Sequence, residues 1–115
     1  MDAHEPDWIL VHDWDGGKTY LDRSSITRKT SLVQVLVKYC ESIPGTDKRN
    51  GKRVKELFML EEYDTATRTF RIHKVVFAYV DGTNSDPLVG DLTWMPASAG
   101  HGKTLDFLCG DQHRD

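Results

Sequence analysis

The amino-acid sequence predicts a mainly β domain of the α+β class, in which five or six antiparallel strands precede one short C-terminal helix. Three observations predict this fold. Short runs of apolar and β-branched residues alternate with polar residues over most of the chain. Glycine, proline and asparagine separate these runs, as expected for turns. Near the C-terminus the spacing of apolar residues changes to that of a helix.

The first two predicted strands form a hairpin. Residues 8–12 are an apolar run, and the turn signal at 13–17 leads into a return strand over 18–22. The next segment, 23–29, is polar and is predicted as a turn that is anchored by Ile26.

The third predicted strand, 32–40, has the clearest alternation. It places on one face the side chains of Val33, Val35, Val37 and Tyr39. A polar stretch over 41–53 contains Pro-Gly and Asn-Gly signals and is predicted as a long hairpin loop. It leads into a fourth strand over 54–63.

A turn at 64–67 joins the fourth strand to a fifth strand, 68–80. Continued alternation predicts one face made of Phe70, Ile72, Lys74, Val76, Ala78 and Val80. A loop over 81–87 and a short segment through Leu92 and Trp94 follow.

The predicted helix begins after Pro96. Ser98 is the predicted N-cap, and Gly110 is the predicted end. The helical spacing places on one face the side chains of Leu105, Leu108 and Cys109.

The composition describes one soluble domain. The chain has 115 residues, of which 29% are charged, and its mean hydropathy is −0.53, values that exclude a disordered tail and a membrane-spanning protein. The net charge of −3 argues against nucleic acid as a partner. No repeat or linker divides the chain, so we expect a single domain over 7–110, with flexible ends at 1–6 and 111–115.

Two cysteines, Cys40 and Cys109, lie too far apart for a CxxC redox motif, and two cysteines are too few for a four-cysteine zinc site. Two alternatives remain open. A disulfide between them would close a loop over most of the domain and contribute about 4 kcal/mol. Otherwise both are free thiols in a reducing compartment.

The N-terminal residues carry neither the basic nor the apolar region of an export signal. If Met1 is native, the sequence indicates a cytoplasmic protein. If Met1 replaces a signal that has been removed, the protein is exported, and both alternatives stay open.

Residues 97–104, Ala-Ser-Ala-Gly-His-Gly-Lys-Thr, are close to the phosphate-binding P-loop pattern. A P-loop joins a strand to a helix in a parallel α/β sheet, and everything before Ala97 is predicted as antiparallel hairpins. Nucleotide binding is therefore a remote alternative, and a glycine-rich helix start is the favoured interpretation.

A basic cluster occupies the tip of the predicted 41–53 loop. Of the six residues over 48–53, four are basic, namely Lys48, Arg49, Lys52 and Arg53. Such a cluster can contact phosphate, a sulfated glycan or an acidic protein surface, although solvated charges are also ordinary in a loop. Together with the aromatic side chain of Trp14, these four are the candidate partner-binding residues.

Catalytic and metal-binding patterns are missing from the sequence. Its five histidines lack the spacing of metal ligands, and its serines lack the glycines of a nucleophile elbow. The sequence therefore predicts a non-enzymatic protein with no catalytic residue, metal or cofactor. A small-ligand carrier is the alternative, with a groove between helix and sheet lined by Tyr79, Trp94 and Phe107.

Three stretches in this order resemble a known family. They are the hairpin and turn over 18–28, the strand 33–39, and the closing segment over 92–110 with Trp94, Pro96 and Cys109. On these residues the chain is similar to the surface-adhesin protein E family of bacterial exported domains, over about residues 7–110.

The resemblance implies a single antiparallel sheet with the C-terminal helix packed on one face. It also implies export to the periplasm, outer membrane or cell surface, often with a lipid anchor, and adhesin-like binding of a protein or glycan. An exposed sheet edge would allow a homodimer. In one respect the chain departs from the family, whose terminal cysteine pairs with a cysteine near the position of Glu62, whereas this chain has Cys40.

Overall fold

The computed structural model describes residues 5–42 and 45–111. Residues 1–4 and 112–115, most of the two predicted flexible ends, lie outside the described residues. The described residues form strands β1 (Trp8–Trp14), β2 (Gly17–Asp22), β3 (Thr27–Lys29), β4 (Leu32–Glu41), β5 (Val54–Asp64), β6 (Thr69–Tyr79), β7 (Leu88–Val89) and β8 (Met95–Pro96), followed by the helix α1 (Ala99–Asp111).

All the strands belong to one antiparallel sheet. The order along the sheet is β1-β2-β4-β5-β6-β7, while β3 pairs with β4 and β8 pairs with β6. The predicted fold class is confirmed, with α1 packed against a curled sheet. The described residues contain more strands than the five or six predicted, because β3, β7 and β8 are only two or three residues long.

The segment 23–29, predicted as a turn, contains one of these short strands. Arg23–Ser25 form a single 3-10 turn, whose first backbone N–H groups are capped by Asp22, since the Asp22 carboxylate accepts from Ser24 N. The Ser25 hydroxyl then accepts a hydrogen bond from Leu36 N on β4. This contact brings Thr27–Lys29 alongside β4, where they pair as β3.

The hydrophobic core lies between the sheet and α1. We call the helix-covered side of the sheet the inner face and the opposite side the outer face. The fully buried residues of the core, all at 0% exposure, are Leu21, Val33, Val35, Val37, Tyr63, Leu105 and Leu108. The predicted apolar face of the third strand and the predicted apolar face of the helix therefore meet each other.

The face predicted for the fifth strand is correct as far as Ile72 and wrong beyond it. Leu60 pairs with Lys74, but the next residue, Glu61, pairs with Ile72, so that His73 is an additional residue in β6. Such a β-bulge moves every following side chain to the other face. Phe70 and Ile72 share one face as predicted, and this is the inner face, but they are followed there by Val75, Phe77 and Tyr79.

Helix α1 covers only part of the inner face. Backbone N–H groups of His101 and Gly102 donate to the carbonyl of Ser98, so the first turn of the helix closes on this residue. The other end is fixed by Arg28, which donates to the carbonyl of Leu108 at 3.0 Å. In the part of the chain that the structure describes, no helix is long and apolar enough to cross a membrane.

Both cysteines are free thiols in the structure. Cys40 lies on the outer face, where its Sγ is 3.5 Å from the carboxylate of Glu56. Burial, and then the contact with Glu56, raises the pKa of Cys40. Cys109 lies on α1 and packs against the core on the inner face. The sheet therefore separates the two thiols.

We expect both thiols to react with iodoacetamide when the protein is unfolded without reductant. The measurement is intact mass, and the expected result is two carbamidomethyl groups on each chain. A sample that is reduced first is the control and should give the same mass. An unreduced chain that gains no adduct would show a Cys40–Cys109 disulfide and contradict this expectation.

Candidate functional site

A groove opens on the inner face where α1 begins. Two adjoining cavities form it, with volumes of about 480 and 180 Å³, and three residues line both: Trp14, Tyr39 and His101. The larger cavity is also lined by His12, Thr19, Ser98, Ala99 and Gly100. The smaller one is also lined by Glu41, Leu57, Met59 and Ile72. We call this site the inner-face groove.

The groove exists because β4 extends past the first turn of α1. Along the inner face of β4, Val37 is fully buried, Tyr39 is half-buried and Glu41 is exposed. The helix thus shields one end of the strand and leaves the other end open. Apolar side chains that elsewhere would be core residues form the floor of the groove at this end.

Two glycines shape the wall that β1 provides. A Cβ on Gly16 would lie 2.5 Å from Nε1 of Trp14, so glycine lets the indole fold over the hairpin turn. A Cβ on Gly100 would lie 3.0 Å from Nδ1 of His12, so glycine lets α1 begin close to β1. The absence of a side chain at both positions leaves room for Trp14 and His12 at the groove.

A buried carboxylate lies beneath the groove. Glu61 is 0% exposed. Its Oε1 accepts a hydrogen bond from the Tyr63 hydroxyl at 2.6 Å, and its Oε2 accepts one from the Tyr39 hydroxyl. Burial, and then the neighbouring charge of Glu61, raises the pKa of Tyr39 and of Tyr63 well above the usual value. Both hydroxyls therefore stay protonated and act as donors.

His101 connects this cluster to the groove. Its ring stacks on Phe70 with 3.8 Å between centroids, and its Nε2 lies 3.2 Å from the Tyr39 hydroxyl oxygen and 3.6 Å from Oε2 of Glu61. The Tyr39 hydroxyl has one hydrogen and gives it to Glu61, so the hydrogen between Tyr39 and His101 must belong to Nε2. In the neutral ring Nδ1 is then an acceptor. The half-buried His101 ring lines both cavities.

Of the candidate partner-binding residues, Trp14 lies at the groove and the basic cluster is partly neutralised. Arg49 donates to both carboxylate oxygens of Asp47, at 3.0 and 2.7 Å. The ammonium of Lys52 lies 3.4 Å from the carboxylate of Asp81. Two of the four basic side chains are therefore held by acidic residues of the chain itself.

The three residues expected to line a carrier groove are not brought together. Trp94 lies under the guanidinium of Arg71, 4.4 Å away, and Arg71 is on the outer face. The Tyr79 hydroxyl donates to Asp47 in the 45–53 loop. Phe107 packs against the core from α1. The groove that the structure contains is lined by other residues.

The P-loop-like segment does not form a phosphate-binding loop. Its residues from Ala99 onward are helical, and Thr104 is fully buried with its hydroxyl 3.3 Å from the carbonyl of Gly100. Within residues 5–42 and 45–111, no group of three or more His, Cys, Asp or Glu side chains is arranged to hold a metal ion.

Glu61 was not singled out from the sequence, although a signal exists. Strand alternation places Glu61 on the same face as Leu57, Met59 and Tyr63. An acidic residue in an otherwise apolar series indicates either a break in the strand or a buried carboxylate with partners. The structure shows the second.

A separate hydrogen-bonded cluster around Asp47 holds the 45–53 loop against β6. Asp47 is buried and accepts hydrogen bonds from Arg49 and from the Tyr79 hydroxyl at 2.7 Å. The hydrogen bond from Arg49 is the main cause that holds the pKa of Asp47 well below its usual value. Asn50 also donates to Tyr79, at 2.9 Å.

We expect the Asp47→Asn variant to lose less stability in acid than the original protein. Because the folded-state pKa of Asp47 is lowered, its contribution is present above the ordinary aspartate pKa of about 3.9 and is lost as the pH falls further. Thermal unfolding at steps between about pH 5 and pH 2 measures this. Asp86→Asn, in the loop at 81–87, is the control and should follow the original protein. Parallel profiles for Asp47→Asn and the original protein would contradict the expectation.

Comparison with known proteins gives no match: no protein-family model, curated protein or solved structure matches the chain. The resemblance to the surface-adhesin protein E family therefore stays a prediction.

Proposed function

We propose that the chain is a non-enzymatic carrier domain that binds a small ligand in the inner-face groove. The observation that carries the proposal is the combination of an apolar floor with fixed polar groups. Leu57, Met59 and Ile72 line the smaller cavity, while His101 and Tyr39 are held in place by the buried Glu61. Such concave, mostly apolar sites with a few oriented polar groups are typical of small-molecule binding.

The geometry supports binding rather than catalysis. The carboxylate of Glu61 is fully buried, so it cannot touch a bound molecule. The raised pKa of Tyr39 keeps its hydroxyl protonated at neutral pH, so this group is a poor general acid and supplies no tyrosinate as a base. These groups orient His101 and complete a rigid floor, and a rigid site lowers the entropy cost of binding.

The proposal also includes export to the periplasm or cell surface. Only the family resemblance supports this part. Adhesin-like capture of a protein or glycan is the competing proposal. The cluster from Lys48 to Arg53 supports it less well, because Arg49 and Lys52 are already paired with Asp47 and Asp81. Salt-sensitive retention on heparin, lost when the four basic residues are neutralised, would favour capture over carriage.

The groove is tested with the neutral dye Nile red. We expect one bound dye per chain, seen as increased and blue-shifted fluorescence. Met59→Trp adds a large ring within the smaller cavity and should abolish the signal. Leu60→Trp adds the same ring to the neighbouring position on the outer face and is the matched control, which should bind as the original protein does.

Thermal melting of both variants separates a blocked groove from a lost fold. If Met59→Trp melts like Leu60→Trp and still binds the dye, the groove is not the binding site. Absence of any dye binding to the original protein would also overturn the proposal.

A further inference from the structure

We infer that the groove selects a small organic ammonium ion with an apolar body. This inference rests on the proposed function and names the class of ligand. It follows from the charges around the groove, from its aromatic walls and from the hydrogen-bonding capacity of its floor.

The charge at the groove is negative whenever the two lining histidines, His12 and His101, are neutral. Among the described residues that line the two cavities, Glu41 carries a carboxylate, and none is a lysine or arginine. Glu61 lies beneath the surface of the groove, and the Tyr39 hydroxyl, which donates to it, lies between its carboxylate and the groove. A carboxylate in surroundings shielded from water acts on a bound ion more strongly than one in bulk solvent.

The positive partial charge at the start of α1 favours an anion, but it is smaller than the negative charge of the carboxylates at the groove. The start of α1 at Ala99 and Gly100 contributes a positive partial charge of about half a unit. These residues line only the larger cavity, whereas Glu41 lines the smaller one. A full carboxylate at the smaller cavity, with Glu61 behind it, outweighs that partial charge.

The walls and floor fit a cation as well. The rings of Trp14 and Tyr39 line both cavities, and aromatic faces attract ammonium groups. When the His101 ring is neutral, its Nδ1 is an acceptor, because Nε2 donates to Tyr39. An ammonium N–H has acceptors in this site, and the apolar body has Leu57, Met59 and Ile72.

The test compares three probes with the same eight-carbon chain: octylammonium, octan-1-ol and octanoate. Binding is followed by NMR titration at pH 8, above the range in which histidines ordinarily gain a proton. The signal of the Trp14 indole N–H, assigned with Trp14→Phe, reports on the groove. We expect octylammonium to bind about tenfold more tightly than octanoate and more tightly than octanol.

Glu41→Gln removes the exposed carboxylate and should weaken octylammonium about fivefold, with octanol unchanged. Glu5→Gln removes the same charge beyond the opposite end of β1 and is the control, expected to leave all three affinities unchanged. Equal or tighter binding of octanol or octanoate would overturn the cation inference and leave the carrier proposal standing. So would an unchanged octylammonium affinity in Glu41→Gln. If no probe shifts the Trp14 signal, the carrier proposal itself fails.

Discussion

Replacing Glu61 with alanine is expected to destabilise the folded chain by about 3–5 kcal/mol. Two hydroxyls, the buried one of Tyr63 and the partly buried one of Tyr39, donate to this carboxylate. Without it, each hydroxyl loses its acceptor, at a cost of about 1–3 kcal/mol each. The removed side chain also leaves a cavity at a fully buried position.

Glu61→Ala also removes the cost of burying a carboxylate, and this effect alone would make the folded chain more stable. Removing a buried ion is favourable in itself when apolar groups of the same shape replace all the partners. In Glu61→Ala the two hydroxyls and His101 remain, so their unmet hydrogen bonds decide the sign. Glu61→Gln keeps the size and one carbonyl oxygen and should therefore cost clearly less than Glu61→Ala.

Urea unfolding of both variants measures the effect, with Tyr63→Phe as the partner variant. Tyr63→Phe removes one donor and should cost about 1 kcal/mol. Its effect should be much smaller in the Glu61→Ala background, because the hydrogen bond is already gone. A loss below about 1 kcal/mol in Glu61→Ala would show that the carboxylate is not the acceptor that holds this cluster.

Replacing Leu105 with alanine is the second large effect, with an expected cost of about 2–5 kcal/mol. Leu105 is fully buried on α1 and packs in the cluster that contains Val33 and Val35. The lost methyl groups and the remaining cavity both weaken the attachment of α1 to the inner face.

The matched control is Lys103→Ala on the exposed side of the same helix. It should change stability by less than about 0.5 kcal/mol, since an exposed side chain leaves no cavity. It also removes the lysine of the P-loop-like segment. Because His101 reaches the groove from α1, Leu105→Ala should also weaken Nile red binding, and Lys103→Ala should not. Equal losses of stability in the two variants would contradict the assigned packing of the helix.

The elements in which apolar residues recur at a regular spacing could be predicted from the sequence. Val33, Val35 and Val37 alternate with polar or less buried residues, and the faces predicted for β4 and α1 are those observed. The change of face after His73 could not be predicted. Residues 75–79 are apolar on both faces, so their pattern is the same in either register.

The groove depends on tertiary distances that the sequence does not contain. Tyr39 pairs with Leu57 across the sheet, and Glu61 pairs with Val35, yet the Tyr39 hydroxyl reaches diagonally to Glu61. The position at which α1 begins relative to the end of β4 determines which apolar residues remain uncovered. Neither relation leaves a local pattern in the chain. Trp14 is a candidate from the sequence for a different reason, because it is an aromatic residue that is expected to be exposed.

The position of α1 in the chain has a consequence for synthesis on the ribosome. Strands β4, β5 and β6 follow one another and pair as neighbours, so they can associate soon after they emerge. The groove contact between Tyr39 and His101 spans 62 positions, and the contact between Arg28 and Leu108 spans 80. Contacts of such long range close late because of their entropy cost. A growing chain is therefore expected to form its sheet before the inner-face groove, which is complete only when the helix has been added.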